Sequence, residues 1–130
     1  MQLMTIGLVQ LNLDGTPKTG AGGAPIPTYT ADDISGLAKV LTGYSWYSPT
    51  PTNSTFSGGN KAPNATVTPM TIYPKFHSIS AKSFLGVTIA ASTTPDTAGD
   101  IKIALDTIYN NASVGPFIAQ RLIQQLVTSN

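Results

Sequence analysis

The sequence has no cysteine and no glutamate, and only 10% of its residues are charged. Without cysteine the chain has no disulfides, no thiolate metal ligands and no thiolate nucleophile. Its formal net charge is +1 and its few lysines are scattered, so we expect no nucleic-acid partner and no attraction to an anionic membrane. No apolar run approaches the roughly 20 residues that cross a bilayer, which predicts no membrane span.

The length and composition predict a single domain over residues 1–130, because 130 residues of which 41% are hydrophobic suffice for one core. Low charge with 12 glycines and 10 prolines is typical of an exported bacterial protein. Met1–Met4 lacks the positive start of a signal peptide. Met1–Val9 is apolar without a helix-start signal and the chain reaches Asn130 without a stop signal. We therefore expect a fragment of a longer periplasmic or secreted protein, with self-association through apolar ends.

The clearest helix signal lies in residues 29–47. Thr30 is a candidate N-cap, because its hydroxyl can accept the backbone N–H of Asp33 while the Asp33 carboxylate reaches back to the cap. Apolar residues then recur at helical spacing on one face: Ile34, Leu37, Ala38 and Leu41. Gly43 is the predicted stop of this central helix.

Three aromatic residues, Tyr44, Trp46 and Tyr47, follow the predicted helix. Aromatic side chains can stack on a ligand, and they can equally cover the end of a helix by burying their large surface. We keep both interpretations and name the three residues as the candidate binding residues.

Loops and strands are predicted in the middle of the chain. Residues 48–66 are rich in proline, threonine, serine and asparagine and poor in apolar residues, which predicts an exposed loop. Two β-rich runs, Val67–Tyr73 and Ser83–Ile89, predict an antiparallel hairpin spanning 67–89 with a long connection.

A pair of helices is predicted over 100–130. Asp100 is the candidate cap of a helix over Ile101–Tyr109, and Ser113 is the candidate cap of the last helix. The last helix has a broad apolar set that we expect in the core: Phe117, Ile118, Leu122, Ile123 and Leu126. With residues 1–28 read as a helix end and a loop, the sequence predicts an α+β fold of three to four helices, a small antiparallel hairpin and long loops.

The densest polar cluster surrounds the only histidine, His77, with Ser78, Ser80 and Lys82 close by. A serine nucleophile needs a base such as histidine held by a third group, or a lysine partner. The chain has no Gly-x-Ser-x-Gly elbow, and neither serine has the Ser-x-x-Lys spacing to Lys82. These four residues are the candidate catalytic set, against an interpretation in which His77 and Lys82 only hydrogen-bond within the hairpin loop.

A metal-assisted version of this chemistry would place His77 with aspartates around calcium or another divalent cation. Asp96 and Asp100 are the candidate metal ligands, with Asp32 and Asp33 as further possibilities. The aspartates can instead cap helices, and there are only six of them. We expect no cofactor, with a divalent cation as the alternative.

The order of these features resembles the bacterial family catalogued as domain of unknown function 1800. Met1–Gly7 is similar to the end of the family's helix reading Ala-Arg-Glu-Leu-Met-x-Leu-x-Thr-Leu-Gly. Tyr29–Gly43 is similar to its pattern Tyr-Thr-x-x-Asp-Val-x-x-Leu-Ala-Arg-x-Leu-Thr-Gly. Phe76–Gly86 resembles its motif His-Asp-x-x-x-Lys-x-x-Leu-Gly, and Ala104–Asn130 resembles its late helix pair. The resemblance covers nearly the whole chain.

Three of the departures from the family's pattern concern charged or aromatic residues of that pattern. Ser78 stands where many members have aspartate, Lys39 where they have arginine, and Tyr44 where they have tryptophan. The resemblance implies an internal portion of a long, exported, mainly helical bacterial protein, and it supplies no reaction.

Taken together, the residues and the resemblance predict an uncharacterised binding or structural module without a complete catalytic site. Its expected partner is a protein or a small molecule. The alternative is a small hydrolase of esters or lactones, with His77 as base or metal ligand. An enzyme should lose activity when His77 is changed, whereas a module should lose binding when Trp46 is changed.

Overall fold

A computed structural model describes residues 5–127 of the chain. Within that range the chain forms four α-helices, one 3₁₀ helix and two antiparallel sheets of two strands each, which confirms the predicted α+β class. In chain order the elements are α1 (Ala31–Val40), β1 (Tyr44–Ser45), α2 (Asn53–Phe56), β2 (Thr71–Ile72), the 3₁₀ helix (Pro74–Phe76), β3 (Lys82–Phe84), β4 (Val87–Ile89), α3 (Thr97–Tyr109) and α4 (Val114–Leu126).

Helix α1 begins with the capping box that the sequence predicts. The Thr30 hydroxyl accepts the Asp33 N–H at 3.3 Å, and the Asp33 carboxylate accepts the Thr30 N–H at 2.7 Å. The helix ends at Val40, and Gly43 in the following turn has φ +82°. A glycine adopts this left-handed conformation without the steric penalty of a Cβ, so it reverses the chain here.

The buried face of α1 is rotated by one residue from the predicted face. Gly36 and Val40 are buried and Leu37 packs beside them, whereas Ile34, Ala38 and Leu41 are exposed. The cause is Gly36: a Cβ at this position would lie 1.8 Å from the Ser83 backbone oxygen, so only glycine allows the helix to lie this close to β3. The predicted face was wrong because it was assigned from the spacing of large apolar residues, and glycine is not one of them.

The predicted pairing of Val67–Tyr73 with Ser83–Ile89 is also wrong. Strand β2 pairs instead with β1, and β3 pairs with β4 inside the second run, with Phe84 opposite Val87. The β3–β4 turn has Leu85 at φ 49° and Gly86 at φ 81°, as a two-residue turn of type I′ requires. Leucine is an unusual residue in this conformation, so the turn gives little sequence signal.

Residues 8–28 are extended rather than helical. Three stretches of this segment hydrogen-bond in a closed triangle, in which Gln10 N–H donates to Ile26 O, Ile26 N–H to Lys18 O, and Lys18 N–H to Gln10 O. The predicted helix end at Met1–Val9 lies partly outside the described residues, and from residue 5 onward the chain forms a turn, a bend and then an extended stretch.

The predicted exposed loop 48–66 contains the short helix α2. Thr52 caps this helix, and Thr55 inside it is buried. The Tyr73 hydroxyl lies 3.2 Å from the Thr55 hydroxyl and donates to the Trp46 carbonyl oxygen at 2.9 Å. This part of the loop is therefore anchored to the strands, and polar threonine side chains supply the anchors that an apolar count misses.

The core lies between α1, the β3–β4 hairpin and α3. It consists of the buried residues Val40, Phe84 and Ala104, with Leu37, Ile89 and Ile101 packed against them. Helix α3 begins at Thr97 with Asp96 as its cap, because Asp96 Oδ1 accepts the Gly99 N–H at 2.9 Å. The prediction of Asp100 as the cap is wrong, since this residue lies in the first turn and is buried.

Helix α4 packs through its first turn only. Phe117 is buried against Gly7, where a Cβ would lie 2.7 Å from the phenylalanine ring. Leu122, Ile123 and Leu126 are exposed, so the prediction of a core face along the whole helix is wrong. Ser113 occupies the N-cap position, but its side chain makes no capping hydrogen bond. None of the helices within residues 5–127 combines the length and apolarity needed to cross a membrane.

Candidate functional site

Two buried basic side chains contact one buried carboxylate. We call the three residues the His77–Lys82–Asp100 cluster. His77 Nε2 lies 2.8 Å from Asp100 Oδ2, and Lys82 Nζ lies 2.6 Å from the same oxygen. The exposed fractions of the three side chains are 0% for His77, 4% for Lys82 and 9% for Asp100. Buried ionisable groups of this kind occur almost only where they are paired.

Local structure explains how Lys82 and Asp100 reach each other. In β3 the buried residues Lys82 and Phe84 alternate with the exposed Ser83, so Lys82 lies on the core side of the strand. On α3, Asp100 and Ala104 are four residues apart and therefore share one face. The Lys82–Asp100 pair consequently lies at the edge of the apolar core.

The second ring nitrogen of His77 is held by the turn after α1. His77 Nδ1 lies 2.8 Å from the Thr42 carbonyl oxygen. A carbonyl oxygen only accepts, so Nδ1 donates this hydrogen bond. The Thr42 hydroxyl donates to Lys39 O at 2.6 Å and accepts the Ser78 N–H at 2.8 Å. Both nitrogens of His77 are thus engaged within the protein.

Gly43 allows the turn to approach His77 closely. A Cβ at Gly43 would lie 3.0 Å from His77 Cβ and 3.1 Å from its backbone nitrogen. The glycine also has the positive φ that closes the turn. The Thr42-Gly43 pair therefore serves two purposes: it ends α1 and it fixes the orientation of the imidazole.

The electrostatics of the cluster favour an ionised Asp100. Burial alone would raise the pKa of the Asp100 carboxyl, but hydrogen bonds from Lys82 and His77, together with their charges, outweigh burial and hold that pKa below its usual value. The carboxylate is the common acceptor of the two basic side chains, so one oxygen of α3 holds β3 and the end of the 3₁₀ helix. His77 links this oxygen to the turn after α1 through its second ring nitrogen.

The structure does not bring the predicted serine nucleophiles to His77. Ser78 is half-buried and Ser80 is exposed, and their hydroxyls lie 3.0 Å from each other. Within residues 5–127 neither hydroxyl forms a hydrogen bond with His77 or Lys82. The hydroxyl nearest to the imidazole belongs to Thr42, 3.4 Å from Nδ1, and it already donates to Lys39 O.

The two predicted metal ligands have different partners. Asp96 caps α3, and Asp100 accepts hydrogen bonds from His77 and Lys82. Asp33 is engaged in the capping box of α1, as described above. Across the part of the chain that the structure describes, no three histidine, cysteine, aspartate or glutamate side chains group together in a way that suits a metal ion. Lys82 Nζ lies 2.6 Å from Asp100 Oδ2, so a divalent ion at Asp100 would compete with this contact.

The three candidate binding aromatics lie in different environments. The Tyr44 hydroxyl donates to Thr97 O at 3.3 Å, so this ring links β1 to the start of α3. Trp46 is 40% exposed, and Lys61 Nζ lies 3.8 Å above its ring. Tyr47 is half-buried. Among the described residues these rings make no stacking contact with one another, so they do not form one platform.

A different aromatic group forms beside the cluster. The Phe56 and Phe76 rings are stacked with centroids 3.8 Å apart and planes 2° apart, and Tyr73 meets Phe56 edge-on at 5.4 Å. Because Phe76 directly precedes His77, this stack anchors the segment that carries the histidine. No local pattern predicts it, since Phe56 comes from a different segment of the chain than Tyr73 and Phe76.

Two residues of the site carried weaker signals in the sequence. The sequence assigns Thr42 no role in the site, and it predicts Asp100 as a helix cap or metal ligand. One available signal for the lysine–aspartate pair was a lysine two residues before Phe84, on the same strand face as a core residue. A cation in that position needs a buried acid.

Fold and site together define a small α+β domain built around a buried histidine, lysine and aspartate. The family model described as Protein of unknown function (DUF1800) matches residues 1–130, which is the whole chain, so the chain belongs to this family. The resemblance found in the sequence is thereby confirmed. No curated protein and no solved structure matches the chain.

Proposed function

We propose that this chain is a binding or structural module of an exported bacterial protein, and that the His77–Lys82–Asp100 cluster holds the module together rather than acting on a substrate. The observation that carries the proposal is the complete burial of the His77 side chain with both ring nitrogens engaged. A general base for an external substrate must reach the proton that it removes. His77 instead connects three structural elements.

The surface of the module supports a role in contacting another polypeptide. Along α4, Leu122, Ile123 and Leu126 are between 54% and 79% exposed. Arg121 is the only charged residue of the helix. Contiguous exposed apolar side chains of this kind are typical of protein contact surfaces. Trp46, with Lys61 Nζ above its ring, is a second exposed contact point, and it lies in the N-terminal half of the sequence.

The proposal is tested with the purified chain on a panel of small esters and lactones, with and without a chelator. We expect no turnover above a blank, and we expect the same result for His77→Ala and for Ser78→Ala. Ser78→Ala is the matched control, because the Ser78 hydroxyl makes its only described hydrogen bond to the exposed Ser80.

Turnover that His77→Ala abolishes would overturn the proposal and establish the hydrolase alternative. Loss of that turnover with a chelator would add calcium or another divalent cation to the site.

In a binding experiment the module should lose affinity for its partner when Trp46 is replaced by alanine. Replacement of Tyr47 serves as the neighbouring control.

A further inference from the structure

We propose that Lys82 and Asp100 join covalently, forming an amide bond between lysine Nζ and aspartate Cγ with release of one water. The inference rests on the proposed function, in which the cluster holds the module together. A chain without cysteine has no disulfides, and this bond would give it an internal cross-link by another chemistry. It would connect β3 to the first turn of α3.

The two side chains that would react are already in contact. Lys82 Nζ lies 2.6 Å from Asp100 Oδ2, and both side chains are more than nine-tenths buried. Two groups held in contact react intramolecularly. Well-oriented intramolecular reactions have effective molarities on the order of 10⁵ M or more. Side-chain freedom that would separate the amine from the carboxyl is removed by packing.

The reaction starts from the ionised pair and needs one proton transfer within it. The pair lies beside the apolar core residues Phe84 and Ala104. A lysine amine becomes a nucleophile only after it has lost its extra proton. In an apolar site, transfer of one proton from the ammonium to the carboxylate removes two buried charges at once.

His77 supplies the proton transfers. Its Nε2 lies 2.8 Å from Oδ2, which is the oxygen that must leave, and Nδ1 stays bonded to Thr42 O and keeps the ring oriented. A group within hydrogen-bond reach of the leaving atom acts as a general acid. His77 therefore protonates the departing hydroxyl and then recovers a proton from the nitrogen.

The steps balance without any other reactant. The Lys82 ammonium passes one proton to Asp100 Oδ2, and the amine lone pair attacks Cγ to form the C–N bond. His77 Nε2–H protonates the Oδ2 hydroxyl, the C–O bond breaks and water leaves. The nitrogen returns a proton to His77 Nε2. The products are one amide and one water, and no electrons are gained or lost.

The chain offers an internal comparison. Lys102 Nζ and Asp106 Oδ2 are 2.5 Å apart, so this pair has the same contact distance as the buried pair to within 0.1 Å. Their side chains are 76% and 59% exposed, and no histidine contacts them in the part of the chain that the structure describes. Water stabilises both charges, so the second pair should stay an ordinary ion pair.

The experiment is the intact mass of the purified full-length chain under denaturing conditions, followed by fragmentation of its peptides. We expect a mass lower than that of the sequence by one water, and a branched peptide that joins Lys82 to Asp100. Lys82→Arg and Asp100→Ala should restore the full mass, whereas Lys102→Arg should leave the missing water unchanged. His77→Ala should restore the full mass in most of the molecules.

Wild-type protein at the full mass would overturn the proposal, whatever the variants do. A missing water that persists in Lys82→Arg would overturn it as well, because Asp14-Gly15 can lose water by cyclising on its own backbone. The wild-type mass does not depend on the folding of any variant. It is also independent of the hydrolase test, since a chain without the amide bond can still lack hydrolase activity.

Discussion

Asp33 Oδ1 accepts the backbone N–H of Leu85 at 2.6 Å, which joins the first turn of α1 to the β3–β4 turn. The other carboxylate oxygen accepts the N–H and the hydroxyl of Thr30. One aspartate therefore closes the cap of a helix and satisfies a turn in which leucine has a positive φ. The family's Leu-Gly and Tyr-Thr-x-x-Asp motifs meet at this residue.

Replacing Asp33 by alanine should lower the free energy of unfolding by about 1–3 kcal/mol, because the cap and a hydrogen bond to a charged acceptor are both lost. Urea unfolding followed by circular dichroism measures the change. Asp32→Ala is the matched control: Asp32 is an exposed acid in the same turn. An equal loss in both variants would show that only the helix dipole matters here.

Gly36→Ala should destabilise the protein by about 1–3 kcal/mol or more, because the new methyl group would overlap the backbone of β3 and force α1 away from the hairpin. Gly115→Ala tests the same change in a helix where a Cβ would meet no atom within 4 Å. That variant should gain about 0.4–1 kcal/mol. Thermal melting of the two variants should therefore shift in opposite directions, and a harmless Gly36→Ala would contradict the described α1–β3 contact.

Stability should fall with acid. The pKa of Asp33 is held low mainly by hydrogen bonds from Thr30 and Leu85, and the pKa of Asp100 is held low by Lys82 and His77 against the effect of burial. A carboxyl with a lowered folded pKa contributes stability above its unfolded pKa of about 4, and that contribution disappears as pH falls through the folded value.

Urea midpoints measured from neutral pH to below about pH 4 should decline in the wild type, and the decline should be smaller in Asp33→Asn. Asp32→Asn is the control and should follow the wild type. A wild-type midpoint that rises on acidification would contradict the assignment of ionised, hydrogen-bonded carboxylates. If the proposed amide has formed, Asp100 no longer titrates and Asp33 accounts for most of the remaining decline.

The exposed face of α4 should cause self-association. Sedimentation velocity across a range of concentrations should show weaker association for the double variant Leu122→Gln and Leu126→Gln, since these residues are 54% and 79% exposed. Val67→Thr, at an 84% exposed residue outside α4, should leave association unchanged. Equal self-association of the wild type and both variants would show that this face of α4 is not the contact surface.

Local signals predicted the local structure well. Thr30 and Asp33 form the expected capping box, because this motif involves four consecutive residues and needs no tertiary contact. The predicted α+β class holds for the same reason: helical spacing and β-rich runs are properties of short segments. Asp96 took the cap that was assigned to Asp100, since aspartate can cap a helix or pair with a base and sequence alone does not choose between them.

Tertiary relationships were harder to predict. The rotated face of α1 depends on Gly36 meeting Ser83, and the hairpin depends on a leucine in a conformation that usually belongs to asparagine or glycine. His77 and Lys82 were singled out by their sequence proximity. Their meeting with Asp100 depends on how α3 packs against β3, which no local pattern encodes. The catalytic, binding and metal roles first assigned to these side chains remain predictions.

The free energy of unfolding of Asp100→Ala tests most directly whether the cluster is structural. Removing one partner of a buried pair leaves uncompensated charge, so we predict a loss of about 3–5 kcal/mol, against no more than about 0.5 kcal/mol for the exposed control Asp106→Ala. The same samples are assayed for ester and lactone hydrolysis. An Asp100→Ala protein as stable as Asp106→Ala that has lost a wild-type hydrolase activity would contradict the structural role of the His77–Lys82–Asp100 cluster.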